Sequence, residues 1–172
     1  SDIQDSVDLM SAASPEDRLI KITHITPDII IYLLSLGDVY RLQKKYSKAE
    51  VYYVKTLQFI HDLYGDEAAV QLAAHTPKNL AINYHHMEQY NKAEDYYLQA
   101  LTVYRQISHG ADSVYIADTL CYLGKNYAAA GGNIKSRDVW RQALDIYKTL
   151  DPQNPNIAKL DYKLHLSKES IT

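Results

Sequence analysis

The sequence predicts an all-α protein, an α-solenoid of stacked antiparallel helix hairpins, on three observations. First, "YSKAEVYY" at Tyr46–Tyr53 returns as "YNKAEDYY" at Tyr90–Tyr97, with six of eight letters kept. Self-similarity at a fixed period marks a repeat architecture. Second, walking back from each copy finds Leu33-x-x-Leu36-Gly37-x-x-Tyr40 and Pro77-x-x-Leu80-Ala81-x-x-Tyr84, and a third copy stands at Leu120-x-x-Leu123-Gly124-x-x-Tyr127. In all three the last tyrosine is followed by a small residue at the same distance (Ala49, Ala93, Ser136), and four residues later by an aromatic: Tyr53, Tyr97, Trp140. Third, both halves of the unit carry apolar residues at helical spacing, with no strand-like alternation.

Composition sets the outer bounds. The chain has 172 residues, 47% of them hydrophobic and 23% charged, an ordinary balance for a folded domain. A net charge of −3 with mixed signs lacks the basic stripe of a nucleic-acid binder, so none is expected. No apolar run approaches the roughly 20 residues of a membrane span. Cys121 is the single cysteine, which precludes an intramolecular disulfide and points to a reducing, cytoplasmic setting. The chain starts at Ser1 without a methionine or a signal-like stretch. It is read as a piece of a longer protein, from which a targeting segment can be missing. Sixteen tyrosines against one Phe and one Trp is the unusual count.

Taken in order, residues 1–27 are expected to be capping or partial-repeat helices. "SPED" at Ser14–Asp17 opens one of them through about His24, with a serine cap, a proline in the first turn and acids at the positive helix end. Asp5–Ala12 is another short helix. The repeat domain spans 28–168, with units near 28–65, 66–110 and 111–151, a partial fourth at 152–168, and a tail at 169–172. In the second helix of each unit the buried stripe reads Ala49, Tyr52, Tyr53, Thr56, Leu57, Ile60; then Ala93, Tyr96, Tyr97, Ala100, Leu101, Tyr104; then Ser136, Val139, Trp140, Ala143, Leu144, Tyr147. The connectors "QKKYSK", "MEQYNK" and "AGGNIK" are short enough to force antiparallel neighbours.

Gly37, Ala81 and Gly124 let helix backbones approach closely, and the aromatic of the second helix fills the space between one hairpin and the next. The link "GDEAAVQLAAHT" is longer than its counterpart. Either Thr76 caps a helix with Pro77 as its first residue, leaving Ala68–Ala74 as an extra turn or two, or one long helix kinks at Pro77. Pro155–Lys168 aligns with a first helix, since Ile157-Ala158 matches Ile116-Ala117 and Leu164 matches Leu123, although His165 replaces the glycine.

These marker positions resemble the tetratricopeptide repeat, over roughly Asp28 to Ser167. The period of 43–44 residues, longer than usual, resembles the branch typified by kinesin light chains. The resemblance implies a right-handed α-solenoid whose concave face, lined by the first helix of each unit, holds a short peptide or partner helix. The family's ligand-facing offsets fall on Leu34, Asp38 and Arg41; on Lys78, Ile82, His85 and His86, with Asn79 adjacent; and on Asp118, Cys121, Lys125 and Ala128. These positions are expected to carry specificity and not to hold the structure together. The carboxylate clamp for chaperone tails is not matched, because Ile82 stands where asparagine is required. The paired asparagines of the kinesin-light-chain groove are reduced to Asn79, among Leu34-Ser35, Lys78-Asn79 and Cys121-Tyr122.

No catalytic signature emerges, so no enzyme, cofactor or metal is expected. His85 and His86 point about 100° apart on a helix and cannot share one ion with His75. Cys121 has no candidate base in its helix and reads as a small apolar side chain. "AGGN" at Ala130–Asn133 lacks the lysine of a phosphate loop and reads as a helix stop. Glu50 and Glu94 read as a solvated repeat position.

Three functions remain. The first is an adaptor that binds a protein or short peptide. The second is an assembly part that self-associates through its terminal helices. The third, an enzyme or an enzyme's regulatory domain, has no support in these residues. Asp38 and Arg41 can satisfy each other at i,i+3, whereas Lys78 and Lys125 have no acidic partner at i±3 or i±4. An acidic ligand with an apolar anchor, released by salt, is therefore expected.

Overall fold

The computed structural model describes residues 27–72 and 75–169. Seven helices occupy the described residues: α1 (Pro27–Leu42), α2 (Tyr46–Leu72), α3 (Thr76–His86), α4 (Tyr90–Ile107), α5 (Val114–Ala129), α6 (Asn133–Leu150) and α7 (Asn156–Glu169). No strand occurs among the described residues. Each helix packs on its neighbours in sequence, and α1 meets α3 and α3 meets α5 across the hairpins, as a solenoid requires. The helices expected at Asp5–Ala12 and from Ser14 lie outside the described residues.

Three-residue connectors join the hairpins, and all three close in the same way. The helix stops with a residue in the left-handed region: Lys44 (φ 59°), Glu88 (φ 59°) and Gly131 (φ 84°). The next residue's N–H then reaches back to the marker tyrosine: Lys45 to Tyr40 O at 2.9 Å, Gln89 to Tyr84 O at 3.0 Å, Gly132 to Tyr127 O at 2.7 Å. A second bond runs from Lys44, Glu88 and Gly131 to the carbonyls of Arg41, His85 and Ala128. This is the Schellman closure. Gly131 takes the conformation freely, while Lys44 and Glu88 hold it at a cost of about 1–2 kcal/mol each.

The second-helix stripe is buried or half-buried at every expected position. The aromatic's role differs from the expectation. Tyr53 lies against Gly37 and Trp140 against Gly124, within their own hairpins, so close that a Cβ at Gly37 would sit 2.6 Å from the Tyr53 ring. The glycine is the floor on which the ring rests. The tyrosines outnumber phenylalanine because their hydroxyls are used. Tyr84 donates to Glu50 at 2.6 Å and Tyr127 to Glu94 at 2.8 Å, each reaching from one hairpin to the preceding one. Glu50 and Glu94 are thus inter-repeat acceptors and not simply solvated. With its acceptor beside it and partial burial, the Tyr127 hydroxyl is pushed up to about 12, burial being the larger cause.

The irregular second unit resolves as follows. α2 continues past residue 65 to Leu72, so Ala68–Leu72 extend it, and residues 73–74 are outside the described ones. Pro77 stands in the first turn of α3, where its missing N–H costs nothing. The cap position is His75 and not Thr76, which is the first residue of α3 and makes no capping bond. By contrast Ser113 caps α5 through its hydroxyl, which accepts from the Ile116 N–H at 3.3 Å.

Candidate functional site

The first helices α1, α3 and α5 carry the expected ligand-facing residues, and the structure sorts those residues into three groups. The first is a node at the junction of the first two hairpins. Asp38 accepts from the Tyr53 hydroxyl at 2.6 Å, from Asn79 Nδ2 at 3.1 Å and from Arg41 at 3.3 Å; Arg41 Nε also donates to the Tyr53 hydroxyl at 3.1 Å. These bonds tie α1 to α2 and to α3. Asp38, Arg41 and Asn79 therefore do hold the structure together, contrary to the expectation for this face. Burial and the Asp38 bond raise the Tyr53 hydroxyl well above its ordinary value, and it stays protonated.

The second group packs. Ile82 is only 8% exposed and belongs to the core, with Leu34 and Ala128 half-buried against it. His85 Nδ1 meets Asn126 Oδ1 at 3.0 Å, and His86 stacks on Tyr46 with ring centroids 5.3 Å apart. His75 is engaged with the Tyr104 hydroxyl at 2.6 Å. Burial is the main reason the His75 and His86 imidazoles sit below the ordinary value. Among the described residues, no three His, Cys, Asp or Glu side chains come together as metal ligands.

The third group frames a cavity of about 240 Å³ between α3, α5 and α7. Lys78, Asp118, Cys121 and Lys125 line it, with Trp140, Leu160, Lys159 and Lys163. Asp118 accepts a short hydrogen bond from the Tyr147 hydroxyl. The Cys121 thiol donates to the same hydroxyl at 3.8 Å, and burial pushes its pKa up, which makes it a poor nucleophile. Desolvation lowers Lys78, partly offset by Asp118 and Asp38. A half-buried ammonium gains from a further anion beside it. Lys159, Lys163 and Trp140 were absent from the residues expected by sequence. The alignment of Ile157-Ala158 with Ile116-Ala117 already sets Lys159 at the place of Asp118, but that signal is legible only if α7 is treated as a working repeat helix.

The inter-repeat bonds also left letters in the sequence. Asn83 Nδ2 donates to Tyr46 O at 3.0 Å and Asn126 Nδ2 to Tyr90 O at 2.9 Å, the same bond one repeat apart. No helix among the described residues is long and apolar enough to cross a membrane.

Comparison with known proteins agrees with this geometry. No curated protein matches the sequence. Among solved structures, BtubC (BKLC) from P. vanneervenii superposes with a TM-score of 0.73 at 18% identity, over 99% of this chain and 67% of that one. The N-terminal domain of stress-induced protein-1 from C. elegans gives 0.61 at 19%, over 81% and 96%. The first TPR of Spaghetti (RPAP3), solved bound to the HSP90 peptide SRMEEVD, gives 0.62 at 18%, over 86% and 97%. At these identities the likeness shows the fold alone. Two family profiles, each described as tetratricopeptide repeat, match residues 31–67 and 71–149. With hairpins, markers and profiles in register, the chain belongs to the tetratricopeptide repeat family, whose members are generally protein–protein interaction modules.

Proposed function

We propose that this chain is a non-enzymatic adaptor that holds a short acidic segment of a partner protein, with an aliphatic or aromatic anchor, across the face formed by α1, α3, α5 and α7. The observation that carries the reading is the cavity that Lys78 and Lys125 line together with Cys121 and Trp140, so that basic and apolar groups meet in one place. The RPAP3 domain of the same fold was solved with SRMEEVD, a segment that mixes acids with apolar letters. A cytoplasmic setting suits a chain whose one cysteine can form no internal disulfide.

The test is affinity capture of partners, followed by calorimetric titration of the captured segment against wild type and the Lys78→Glu, Lys125→Glu double variant. Two reversed charges should weaken binding by about tenfold or more at low salt, and the difference from wild type should shrink as salt screens the charges. Unchanged affinity with the fold intact would overturn the reading. A second reading, self-association through a terminal face, draws on Tyr162, which is 66% exposed on α7. Light scattering across a dilution series separates the two, because assembly predicts a mass that falls together with helix content.

A further inference from the structure

α1 carries one half of a joint that is found complete twice elsewhere in the stack. Between the first and second hairpins, Tyr84 of α3 donates to Glu50 of α2, Asn83 donates to Tyr46 O, and His86 stacks on the Tyr46 ring. Between the second and third, Tyr127 of α5 donates to Glu94 of α4, and Asn126 donates to Tyr90 O. In each case the second helix of one hairpin covers the first helix of the next. One period earlier, the positions of Asn83, Tyr84 and His86 fall on Val39, Tyr40 and Leu42 of α1. Asn83 and Asn126 are 0% and 1% exposed under their covering helices, whereas Val39 is 47% and Leu42 73% exposed.

The polar part of the half-joint is also in place. Lys92 lies over Tyr84 and Lys135 over Tyr127, and Lys135 pairs at 3.6 Å with Glu94, the acceptor of that same tyrosine. At the first hairpin Lys48 lies over Tyr40 in the same way, at 5.7 Å. Among the described residues no acceptor meets the Tyr40 hydroxyl and no carboxylate pairs with Lys48. Lys44 and Lys45 stand exposed beside them, and Arg41–Lys48 holds four basic residues and no acid.

These groups define what fits. Exposed Val39 and Leu42 suit the apolar stripe of an amphipathic helix. The Tyr40 hydroxyl and the Lys48 ammonium suit a carboxylate set within that stripe, as Glu50 and Glu94 are. A second copy of this chain fits poorly. Its last second helix, α6, carries Arg137 where α2 and α4 carry Glu50 and Glu94, which would bring a guanidinium to Lys48, and α7 already packs on α6.

We propose that the face of α1 holding Val39, Tyr40 and Leu42 docks an amphipathic helix of a partner protein, and that a glutamate of that helix accepts from the Tyr40 hydroxyl and pairs with Lys48. This interface lies apart from the cavity lined by Lys78 and Lys125 and is independent of the adaptor reading of that cavity.

The probe is a peptide with the α4 sequence Tyr90–Ile107, stapled because isolated helices of this length are marginal, and its twin with Glu94→Gln. Each is titrated into the full chain while nuclear magnetic resonance follows the methyl signals of Val39 and Leu42. Wild type is compared with Tyr40→Phe, Leu42→Asp and the Lys78→Glu, Lys125→Glu double variant, and melts followed by circular dichroism check that each folds. The glutamate peptide should bind wild type about fivefold or more tighter than its twin. Tyr40→Phe should remove most of that advantage, Leu42→Asp should abolish binding, and the double variant should bind as wild type does.

Equal binding of the two peptides by wild type, or no binding of either, overturns the inference and leaves the adaptor reading standing. Shifts confined to α3, α5 and α7 overturn it as well. Nuclear Overhauser contacts from the Val39 or Leu42 methyls to residues 1–26 before any peptide is added would assign the face to the chain's own segment. A mass that doubles with concentration, and stays single in Leu42→Asp, would assign it to a second copy. Either result overturns the partner helix.

Discussion

Adding one methyl group at Gly124 should destabilise the third hairpin, and the loss should be recoverable from a known position in the same chain. A Cβ at Gly124 would overlap the indole nitrogen and Cδ1 of Trp140 and lie 2.8 Å from Cε2. The indole has little room to retreat: it is 6% exposed, and its N–H donates to Cys121 O at 3.3 Å. Overpacking of this kind costs about 1–3 kcal/mol. Alanine returns about 0.5–1 kcal/mol through its better helix propensity. Gly124→Ala should therefore lose about 1 kcal/mol net, and at most about 2.5 kcal/mol, with Tm falling by about 2–4 °C per kcal/mol for a chain of this size.

The second unit shows a compatible pair, because Ala81 and Tyr97 stand at the equivalent positions and both are buried. Trp140→Tyr alone should cost about 1–3 kcal/mol from the space it vacates. Combined with Gly124→Ala it should cost less than the sum by about 1 kcal/mol or more. Urea melts followed by far-ultraviolet circular dichroism measure all four corners of the cycle. Additivity within about 0.5 kcal/mol would refute the claim that glycine and ring constrain each other.

Two further perturbations probe how the repeats are joined. Asn126→Leu removes the part-buried bonds to Tyr90 O and His85, so a loss of about 1–3 kcal/mol is expected in the same melts; a loss below about 0.5 kcal/mol would show that the bond joins nothing. Acidification should also destabilise: His75 and His86 are lowered from 6.5, so below that pH the unfolded chain binds more protons than the folded one, and the stability present above it is lost as pH falls towards the folded values. The His75→Gln, His86→Gln double variant should flatten that slope, and an unchanged slope would contradict the assignment.

The fold was legible because it is written three times. Gly37, Gly124, Ala49, Ala93 and the aromatic four residues later answer to the same packing demand, and each copy corroborates the others. The connectors were legible as stops, although Lys44 and Glu88 gave no sign of the left-handed backbone that Gly131 announces. The polar joints were harder to read. Asn83 and Asn126 are identical letters one period apart, yet an asparagine in a helix does not declare which carbonyl it will meet 36 or 37 residues away.

On the candidate face, helical offsets could pair Asp38 with Arg41 but not with its other two donors, since Tyr53 and Asn79 come from other helices. Ile82 fell on the ligand-facing list because offsets ignore how deeply α3 settles into the core, where it is 8% exposed. Lys159 and Lys163 were passed over because the partial fourth unit was set aside when the ligand-facing offsets were laid on the three full ones, although both residues line the cavity.

The most direct measurement is backbone amide mapping by nuclear magnetic resonance, with the shortest segment of a captured partner that still binds. The account predicts shift changes gathered on α3, α5 and α7 around Lys78, Lys125 and Trp140, shrinking as salt is raised. Changes gathered on the outward surfaces of α2, α4 and α6, or at one end of the stack with a rise in mass, would contradict it.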